Sequence, residues 1–108
     1  MEFIELRSFT ERMNGRMTAS ELREMQIYLI EHPDAGALIK GTKGLRKLRW
    51  KAAGRGKQGG VRVIYYWFVS ENEIYLLDLY AKNERADLTN DQAKELSNLI
   101  RRLKEEKR

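Results

Sequence analysis

The sequence predicts one α+β domain, in which a small twisted antiparallel sheet packs against helices in the order β-α-β-β-β-α. Two segments have the apolar spacing of amphipathic helices, and four segments alternate or are rich in β-branched and aromatic residues, as strands are. The length of 108 residues is about that of a single domain, so residues 1–108 are assigned to one. With 42% hydrophobic residues, the chain is expected to bury one core but not two.

The N-terminal third supplies the first strand and the first helix. Residues 3–9, FIELRSF, alternate and therefore predict a short strand. Thr18 and Glu21 have the spacing of a capping box, and apolar residues follow at helical spacing, which predicts a helix. Pro33 cannot continue a helix, so this helix should end near His32.

The rest of the chain supplies three strands and a second helix. Residues 45–50 alternate, residues 61–69 are β-branched and aromatic throughout, and residues 73–81 form another apolar run, so each predicts a strand. Four glycines within residues 51–60 predict a hairpin loop. A second capping box at residues 89–92 begins a long helix with one apolar face. That face consists of Ala93, Leu96, Ile100 and Leu103.

Positive charge is concentrated in one segment of a chain whose net charge is +5. Between Ala35 and Ser70 there is no Asp or Glu but nine of the 21 Lys and Arg, so the other 12 cations face all 16 acids, a net charge of −4. Such a segment attracts polyanions, of which nucleic acid is the usual one. The alternative is a solvated basic loop that improves solubility. The nine cations are Lys40, Lys43, Arg46, Lys47, Arg49, Lys51, Arg55, Lys57 and Arg62.

Several classes of protein and site are not expected. The sequence contains no cysteine, which excludes disulfides and zinc–thiolate sites and fits a reducing cytoplasm. It has no apolar run of about 18 residues and no N-terminal signal pattern, so no membrane association is expected. His32 is the only histidine and is interpreted as structural or surface-exposed. No metal site and no cofactor are expected.

Apolar and cationic residues alternate in GLRKLRW, residues 44–50. Successive side chains of a strand point to opposite faces, so with the second leucine and the tryptophan in the core, Lys47 and Arg49 point away from it. Arg62 lies on the next predicted strand and would stand beside them in a suitable hairpin register. Like charges side by side are unfavourable unless an anion is to be bound there. The alternation therefore predicts an anion site on the non-core face of the sheet.

Three blocks, GLRKLRW, GGVRVIYYW and YLLDLYAKNERADLT, resemble in this order the HigB branch of the RelE superfamily, the toxins of bacterial type II toxin–antitoxin pairs. The resemblance covers roughly residues 38–100. It implies the RelE fold, which is like that of microbial ribonucleases, and metal-independent cutting of messenger RNA, usually in the ribosomal A site. It also implies a partner antitoxin that blocks the toxin, expected to be a helix-turn-helix, HigA-like protein.

Four cations are the candidate catalytic residues. Lys47 is the candidate general base, because neighbouring arginines would destabilise its ammonium group. Arg49 and Arg62 are candidates to clamp the phosphate, since guanidinium groups match phosphate oxygens and stay charged. By resemblance, these three match strand cations of the superfamily, and Lys82 matches a further basic position. The alternative is that the strand cations only bind ribosomal RNA.

Six further residues are expected to contact RNA: Arg46, Lys51, Arg55, Lys57, Tyr66 and Asn83. Arg46 falls on the core side of its strand, near the edge, where its stem could reach out to solvent. Asn83 stands where RelE carries an arginine, and Thr89 roughly where RelE carries its late tyrosine. Tyr66 or Tyr80 could supply a phenol instead, with a packing role as the alternative for Tyr80. No general acid is assigned.

Two other functions compete with that of a ribonuclease. A non-catalytic RNA- or ribosome-binding module would carry the same basic sheet, and the missing arginine and tyrosine favour it. A DNA-binding regulator is disfavoured, because no predicted helix is rich in base-reading residues and the charge lies on strands and a loop. Glu84 is interpreted as a solvated charge or a salt-bridge partner rather than as a base.

Overall fold

The computed structural model describes residues 1–51, 60–84 and 87–106. Within them the protein is an α+β domain with a mixed five-stranded sheet and three α-helices, which confirms the predicted class. A short 3-10 turn, Val69–Glu71, separates two of the strands. The elements are β1 (Glu2–Glu5), α1 (Arg7–Met13), α2 (Ala19–Glu31), β2 (Ala37–Leu38), β3 (Leu45–Trp50), β4 (Val61–Phe68), β5 (Glu73–Ala81) and α3 (Asn90–Glu106).

The strand order is β1-β5-β4-β3-β2, and one pair departs from the predicted antiparallel sheet. The strands β2 to β5 form an antiparallel meander, as expected, but β1 lies parallel to β5, with Phe3 aligned to Ile74. The expectation of a purely antiparallel sheet was therefore wrong at this edge. Strand direction at a pairing across some 70 residues depends on the whole chain path, which local alternation does not encode.

The segment after β1 is a helix, so the strand predicted for residues 3–9 is too long. The strand ends at Glu5, and α1 begins at Arg7. Phe9 is buried and Met13, four residues on, packs against the same cluster, which is the spacing of a helix face. The hydroxyl of Ser8 donates to the carbonyl of Leu77 over 2.5 Å and anchors α1 on β5. The two-residue strand β2 was also not foreseen.

Both predicted capping boxes are present. The amide of Glu21 donates to the Thr18 hydroxyl over 3.1 Å, and the Thr18 amide donates to the Glu21 carboxylate over 2.8 Å. The same reciprocal pair joins Thr89 and Gln92, at 2.9 and 3.1 Å, and begins α3. The helix α2 ends at Glu31, two residues before the proline, as predicted. The caps therefore set where both long helices begin.

The sheet has a hydrophobic layer on each face, so the expectation of one core was wrong. On one face, here called the α1–α2 face, Phe9, Met25 and Leu29 pack on the sheet. On the other, here called the α3 face, Ile100 packs together with the half-buried Leu96 and Leu103. All residues of β4 up to Tyr66 are buried, because the central strands are covered on both sides. The predicted non-core face is thus itself partly covered by α3.

None of the helices in the described part of the chain is long and apolar enough to cross a membrane.

Candidate nucleic-acid site

The structure places Lys47, Arg49 and Arg62 on the α3 face, as the alternation predicted. Arg49 is the register partner of Arg62, and Lys47 is the partner of Ile64, which belongs to the hydrophobic layer under α3. Register partners in an antiparallel pair project to the same side, so the three cations share one face. Arg62 is also aligned with Tyr80 on β5. A row of Arg49, Arg62 and Tyr80 therefore crosses three adjacent strands.

Arg62 is more enclosed than the sequence suggested. The expectation placed it on an open face, but only 6% of the residue is exposed. The strand β4 lies between β3 and β5, so a side chain near its start is flanked on both sides. A guanidinium keeps its charge when buried, provided that hydrogen bonds satisfy it. Arg62 is therefore a fixed positive charge rather than a mobile surface group.

Lys47 is paired with a carboxylate that the sequence argument did not include. Its Nζ lies 3.0 Å from Oδ2 of Asp87, and 27% of the lysine side chain is exposed. The argument for a general base considered the neighbouring arginines alone and did not include this carboxylate. The assignment of Lys47 as the base stays a prediction, and it requires this ion pair to open first.

Asp87 is the member of the site that sequence reasoning missed. Its Oδ1 accepts from the Tyr80 hydroxyl over 3.3 Å and from the Leu88 amide over 2.9 Å. Burial raises the pKa of the Asp87 carboxyl, but the hydrogen bonds from Lys47 and Leu88 outweigh it, so the pKa lies below the ordinary value. The available signal was an acid just ahead of the capping box of α3, the helix that covers the cationic face.

Tyr80, not Tyr66, is the phenol that stands near the strand cations. Tyr80 is fully buried, and its hydroxyl is linked through Asp87 to Lys47. Tyr66 does share the α3 face but lies four residues from Arg62, roughly 13 Å along the strand. Its ring is covered by α3, with Nζ of Lys104 4.8 Å from the ring centroid. The structure therefore does not bring Tyr66 to the cationic row.

Arg46 lies on the opposite face from the other strand cations. Its register partner is Tyr65, and its Nη1 donates to the carbonyls of Asp34 and Gly36 over 3.0 and 2.8 Å. The Tyr65 hydroxyl donates to the Pro33 carbonyl over 2.8 Å and accepts from the Gly36 amide over 2.9 Å. Burial raises the pKa of Tyr65, so the phenol remains a donor. Arg46 thus ties down the connection from α2 to β2, away from the site.

The remaining predicted residues border the site or lie outside the described chain. Lys82 and Asn83 are exposed in the turn after β5, and the Lys82 amide donates to the Gly60 carbonyl over 3.3 Å. That bond holds them at the end of the sheet that carries Arg62. Lys51 is exposed just after β3. The two loop cations expected to contact RNA, Arg55 and Lys57, fall outside the described residues.

Glu84 is a salt-bridge partner, one of the two roles proposed for it. Its carboxylate accepts from Nε and Nη2 of Arg16 over 2.7 and 2.5 Å, and from the Ala81 amide over 2.7 Å. This bidentate pair ties the turn after β5 to the segment between α1 and α2. A carboxylate engaged in this way is not available as a base.

Comparison with known proteins shows the fold. No family model matches the sequence. A chain of the intact E. coli RelBE toxin–antitoxin complex is similar with a TM-score of 0.55 and 12% identity, over 74% of this chain and 94% of that one. The isolated E. coli RelE toxin is similar with a TM-score of 0.55 and 12% identity, over 91% and 97%.

A mutant of E. coli RelE in the free state gives the same picture, with a TM-score of 0.55 and 11% identity over 77% of this chain and 84% of that one. The expected RelE-like fold is therefore confirmed. Membership of the HigB branch and the roles of the site residues stay predictions.

Proposed function

We propose that this protein is the toxin of a type II toxin–antitoxin system and cuts messenger RNA on the ribosome, in the cytoplasm, without a metal. The observation that carries the proposal is the row of Arg49, Arg62 and Tyr80, with Lys47 beside it, on one face of a RelE-like sheet. Two adjacent strands, β3 and β4, bring cations together that would repel one another without an anion between them. A phosphodiester is the anion that suits the fold.

Cutting RNA through its 2′-hydroxyl requires a base, stabilisation of the crowded phosphorane, and an acid for the departing 5′-oxygen. Arg62 and Arg49 suit the second task, because a guanidinium clamps phosphate oxygens in a forked geometry. The buried Arg62 supplies a charge that is already oriented, and such preorganised groups contribute most to transition-state stabilisation. The exposed Arg49 can close on the bound phosphate.

The proton steps fall to the two lysines, since the arginines stay charged. An exposed ion pair is worth about 0–1 kcal/mol, so a phosphate can take the place of Asp87 at Lys47 with little loss. Lys47, which shares its face of the sheet with Arg49 and Arg62, is the candidate base. Lys82, at the same end of the sheet, is the candidate acid. Tyr80 positions Asp87 and does not act on the RNA.

The partners follow from the same surface. A helix-turn-helix, HigA-like antitoxin would neutralise the toxin with an acidic segment laid near the cationic face, since opposite charges favour association. We expect the affinity of such a complex to fall as salt rises. An affinity indifferent to ionic strength would place the antitoxin on an apolar surface instead.

The second candidate is a non-catalytic RNA- or ribosome-binding module. It is favoured by the burial of Tyr80 and Arg62 and by the ion pair at Lys47, which together limit the groups that can reach a reacting phosphate. Such a module would inhibit translation and leave the messenger whole.

Cell-free translation with a defined messenger separates the two functions. We expect the protein to cut within the reading frame and to leave a 2′,3′-cyclic phosphate or its hydrolysis product at the cut. A messenger with a single 2′-deoxynucleotide at the mapped position is the matched control, and it should resist cutting there. Inhibition without cut products would support the binding module, and cutting of the deoxy messenger would exclude attack by the 2′-hydroxyl.

A further inference from the structure

A second cationic feature lies at the side of α3, away from the strand cations. A cleft of about 550 Å³, here called the α3 cleft, separates α3 from the turn that leads into β3. Its described lining contains no Asp or Glu and five cations. The five are Lys40, Lys43, Lys94, Arg101 and Lys104.

The turn that forms one wall of the cleft is fixed. Gly41 and Lys43 have left-handed backbone, with φ of 78° and 59°. Between them Thr42 is buried, and its hydroxyl donates to the Ile39 carbonyl over 2.5 Å. Ser97 on α3 donates to the Thr42 carbonyl over 3.1 Å and ties the two walls together. The left-handed conformation at Lys43, rare outside glycine, is thus held by its surroundings, and the wall is preorganised.

The opposite wall of the cleft is α3, which presents cations but no acids to the cleft. Lys94, Arg101 and Lys104 line the cleft, at spacings of seven and three residues that share a helix face. Four acids also lie in the described part of α3, yet none of them lines the cleft: Asp91, Glu95, Glu105 and Glu106. The helix therefore presents net positive charge to the cleft while staying near neutral as a whole. A one-sided field of this kind attracts a polyanion.

The chemistry of the cleft favours a phosphate backbone over an acidic protein segment. Protein interfaces concentrate much of their binding energy in a few anchors, among which large aromatic side chains are prominent. The large exposed apolar residues of the described chain lie elsewhere: Met1, Ile27, Tyr28, Ile30, Leu38 and Val69. The cleft offers instead the polar side chains of Asn90, Ser97 and Asn98 among its cations. Lys and Arg side chains, together with side-chain amides and hydroxyls, are the usual contacts to phosphate and sugar.

The position of the cleft connects it to the strand cations. Asn90, at one end of the lining, is three residues from Asp87, the partner of Lys47. From Lys94 to Lys104 the helix adds about 15 Å at 1.5 Å per residue. A strand whose phosphate lies at Lys47 can therefore continue along the cleft.

We propose that the α3 cleft is a second RNA site, which binds the phosphate backbone of RNA and takes no part in cutting. The choice of RNA as the polyanion rests on the proposed function, whereas the cleft and its charge do not. Binding at this site is driven by release of counterions from the RNA. Its contribution to RNA affinity therefore depends on salt and not on base sequence.

The test compares two double variants that remove the same charge. Lys94→Ala/Arg101→Ala removes two cations from the cleft, and Arg23→Ala/Arg102→Ala removes two exposed cations that do not line it. The probe is a short fluorescent 2′-O-methyl RNA of mixed sequence, which cannot be cut through its 2′-position. Because each contact to single-stranded RNA contributes about 0.7 to the slope of log affinity against log salt, losing two weakens binding about 25-fold at about 0.1 M salt.

We expect the roughly 25-fold weaker binding only for Lys94→Ala/Arg101→Ala, together with a slope of log affinity against log salt that is smaller by about 1.4. Equal loss in both variants would show a bulk effect of charge, and no loss in either would show that RNA does not enter the cleft; each overturns the proposal. Poly-L-glutamate is the competitor, and displacement of the RNA by it at equal charge concentration would assign the cleft to an acidic protein. Since the probe cannot be cut, binding can succeed even if messenger cleavage fails, and the two failures are distinguishable.

Discussion

The two faces of the sheet use charged residues in different ways, although one strand supplies both. From β3, Arg46 points to the α1–α2 face and donates to two backbone carbonyls. Lys47 and Arg49 point to the α3 face, where Lys47 pairs with the exposed carboxylate of Asp87 and Arg49 reaches solvent. A backbone carbonyl stays in place when a ligand arrives, whereas an exposed side chain can be exchanged for a phosphate. We infer that the charged residues of the α1–α2 face stabilise the fold, whereas those of the α3 face bind RNA under the proposed function.

The hydrophobic layers on the two faces also differ in how completely their leucines are buried. One leucine from each layer makes this difference measurable. Leu29 of α2 is fully buried, and Leu96 of α3 is only half-buried. Leu29→Ala should lower the free energy of unfolding by about 2–5 kcal/mol, the range for a buried leucine. Leu96→Ala should cost markedly less. Denaturant unfolding with an unchanged m-value is the measurement, and equal losses would mean that α3 is as firmly packed as α2.

The second variant series concerns Arg62, whose burial gives it both a structural and a functional role. Arg62→Ala should lower messenger cutting by about 10²–10³, as expected for loss of an oriented donor to the transition state. It should also lower the melting temperature, because Arg62 is buried and the variant loses the interactions in which it takes part. Arg62→Lys keeps the charge and loses the fork, so stability should partly recover while cutting remains low. Full activity in Arg62→Lys would show that charge alone suffices.

Two adjacent tyrosines on β4 belong to the hydrophobic layers of opposite faces. Their Phe variants therefore test the assignment of residues to the two faces without changing charge. The Tyr65 hydroxyl bonds both the Pro33 carbonyl and the Gly36 amide, and the hydroxyl of Tyr66 makes neither of these bonds. Tyr65→Phe should cost about 1–3 kcal/mol, because the buried Gly36 amide and the half-buried Pro33 carbonyl lose their partner. Tyr66→Phe should be nearly neutral. Thermal melting of the two variants is the comparison, and a larger loss for Tyr66→Phe would reverse the structural assignment.

The smallest effect is expected at Asp87. Its folded pKa lies below the ordinary value of 3.8, so its contribution to stability is present above that pH and is lost as pH falls through the folded pKa. Asp87→Asn should therefore lower stability by no more than about 1 kcal/mol near neutral pH. The difference from wild type should begin to shrink only below about pH 4 and should vanish once the pH is below the folded pKa. Denaturant unfolding at several pH values measures it. A difference that grows as pH falls would contradict the ion pair with Lys47.

Asp87→Asn should raise the affinity for RNA, although it lowers stability. The variant leaves Lys47 without its competing carboxylate, so binding of the 2′-O-methyl RNA should strengthen slightly. Weaker binding would show that Asp87 supports the RNA rather than competing with it.

Local patterns sufficed where the structure depends on local geometry. The period of two in β3 placed Lys47 and Arg49 on one face correctly, since the pleat alone determines it. The capping boxes located the starts of α2 and α3 for the same reason. The helix α1 was missed because seven residues are too few for a period of 3.6 to be distinguished from alternation.

The misses at the site all depend on distant packing. The burial of Arg62 follows from the strand order, and the contact between Lys47 and Asp87 joins residues 40 apart in sequence. Similarly, Arg46 was expected to contact RNA because, near the strand edge, its stem could reach out to solvent. Its hydrogen-bond acceptors, the carbonyls of Asp34 and Gly36, become visible only once the chain before β2 is folded back.

The most direct test of the division between the faces compares two arginines three residues apart on β3, Arg46→Ala and Arg49→Ala. Arg46→Ala should lower the free energy of unfolding by about 1.5–3 kcal/mol, the worth of charged hydrogen bonds, and leave messenger cutting per folded molecule unchanged. Arg49→Ala should melt like wild type and lower cutting by about 10²–10³. Melting and cutting are measured on the same preparations. If Arg49→Ala cuts at the wild-type rate while Arg46→Ala does not, the α3 face is not the RNA-cutting face.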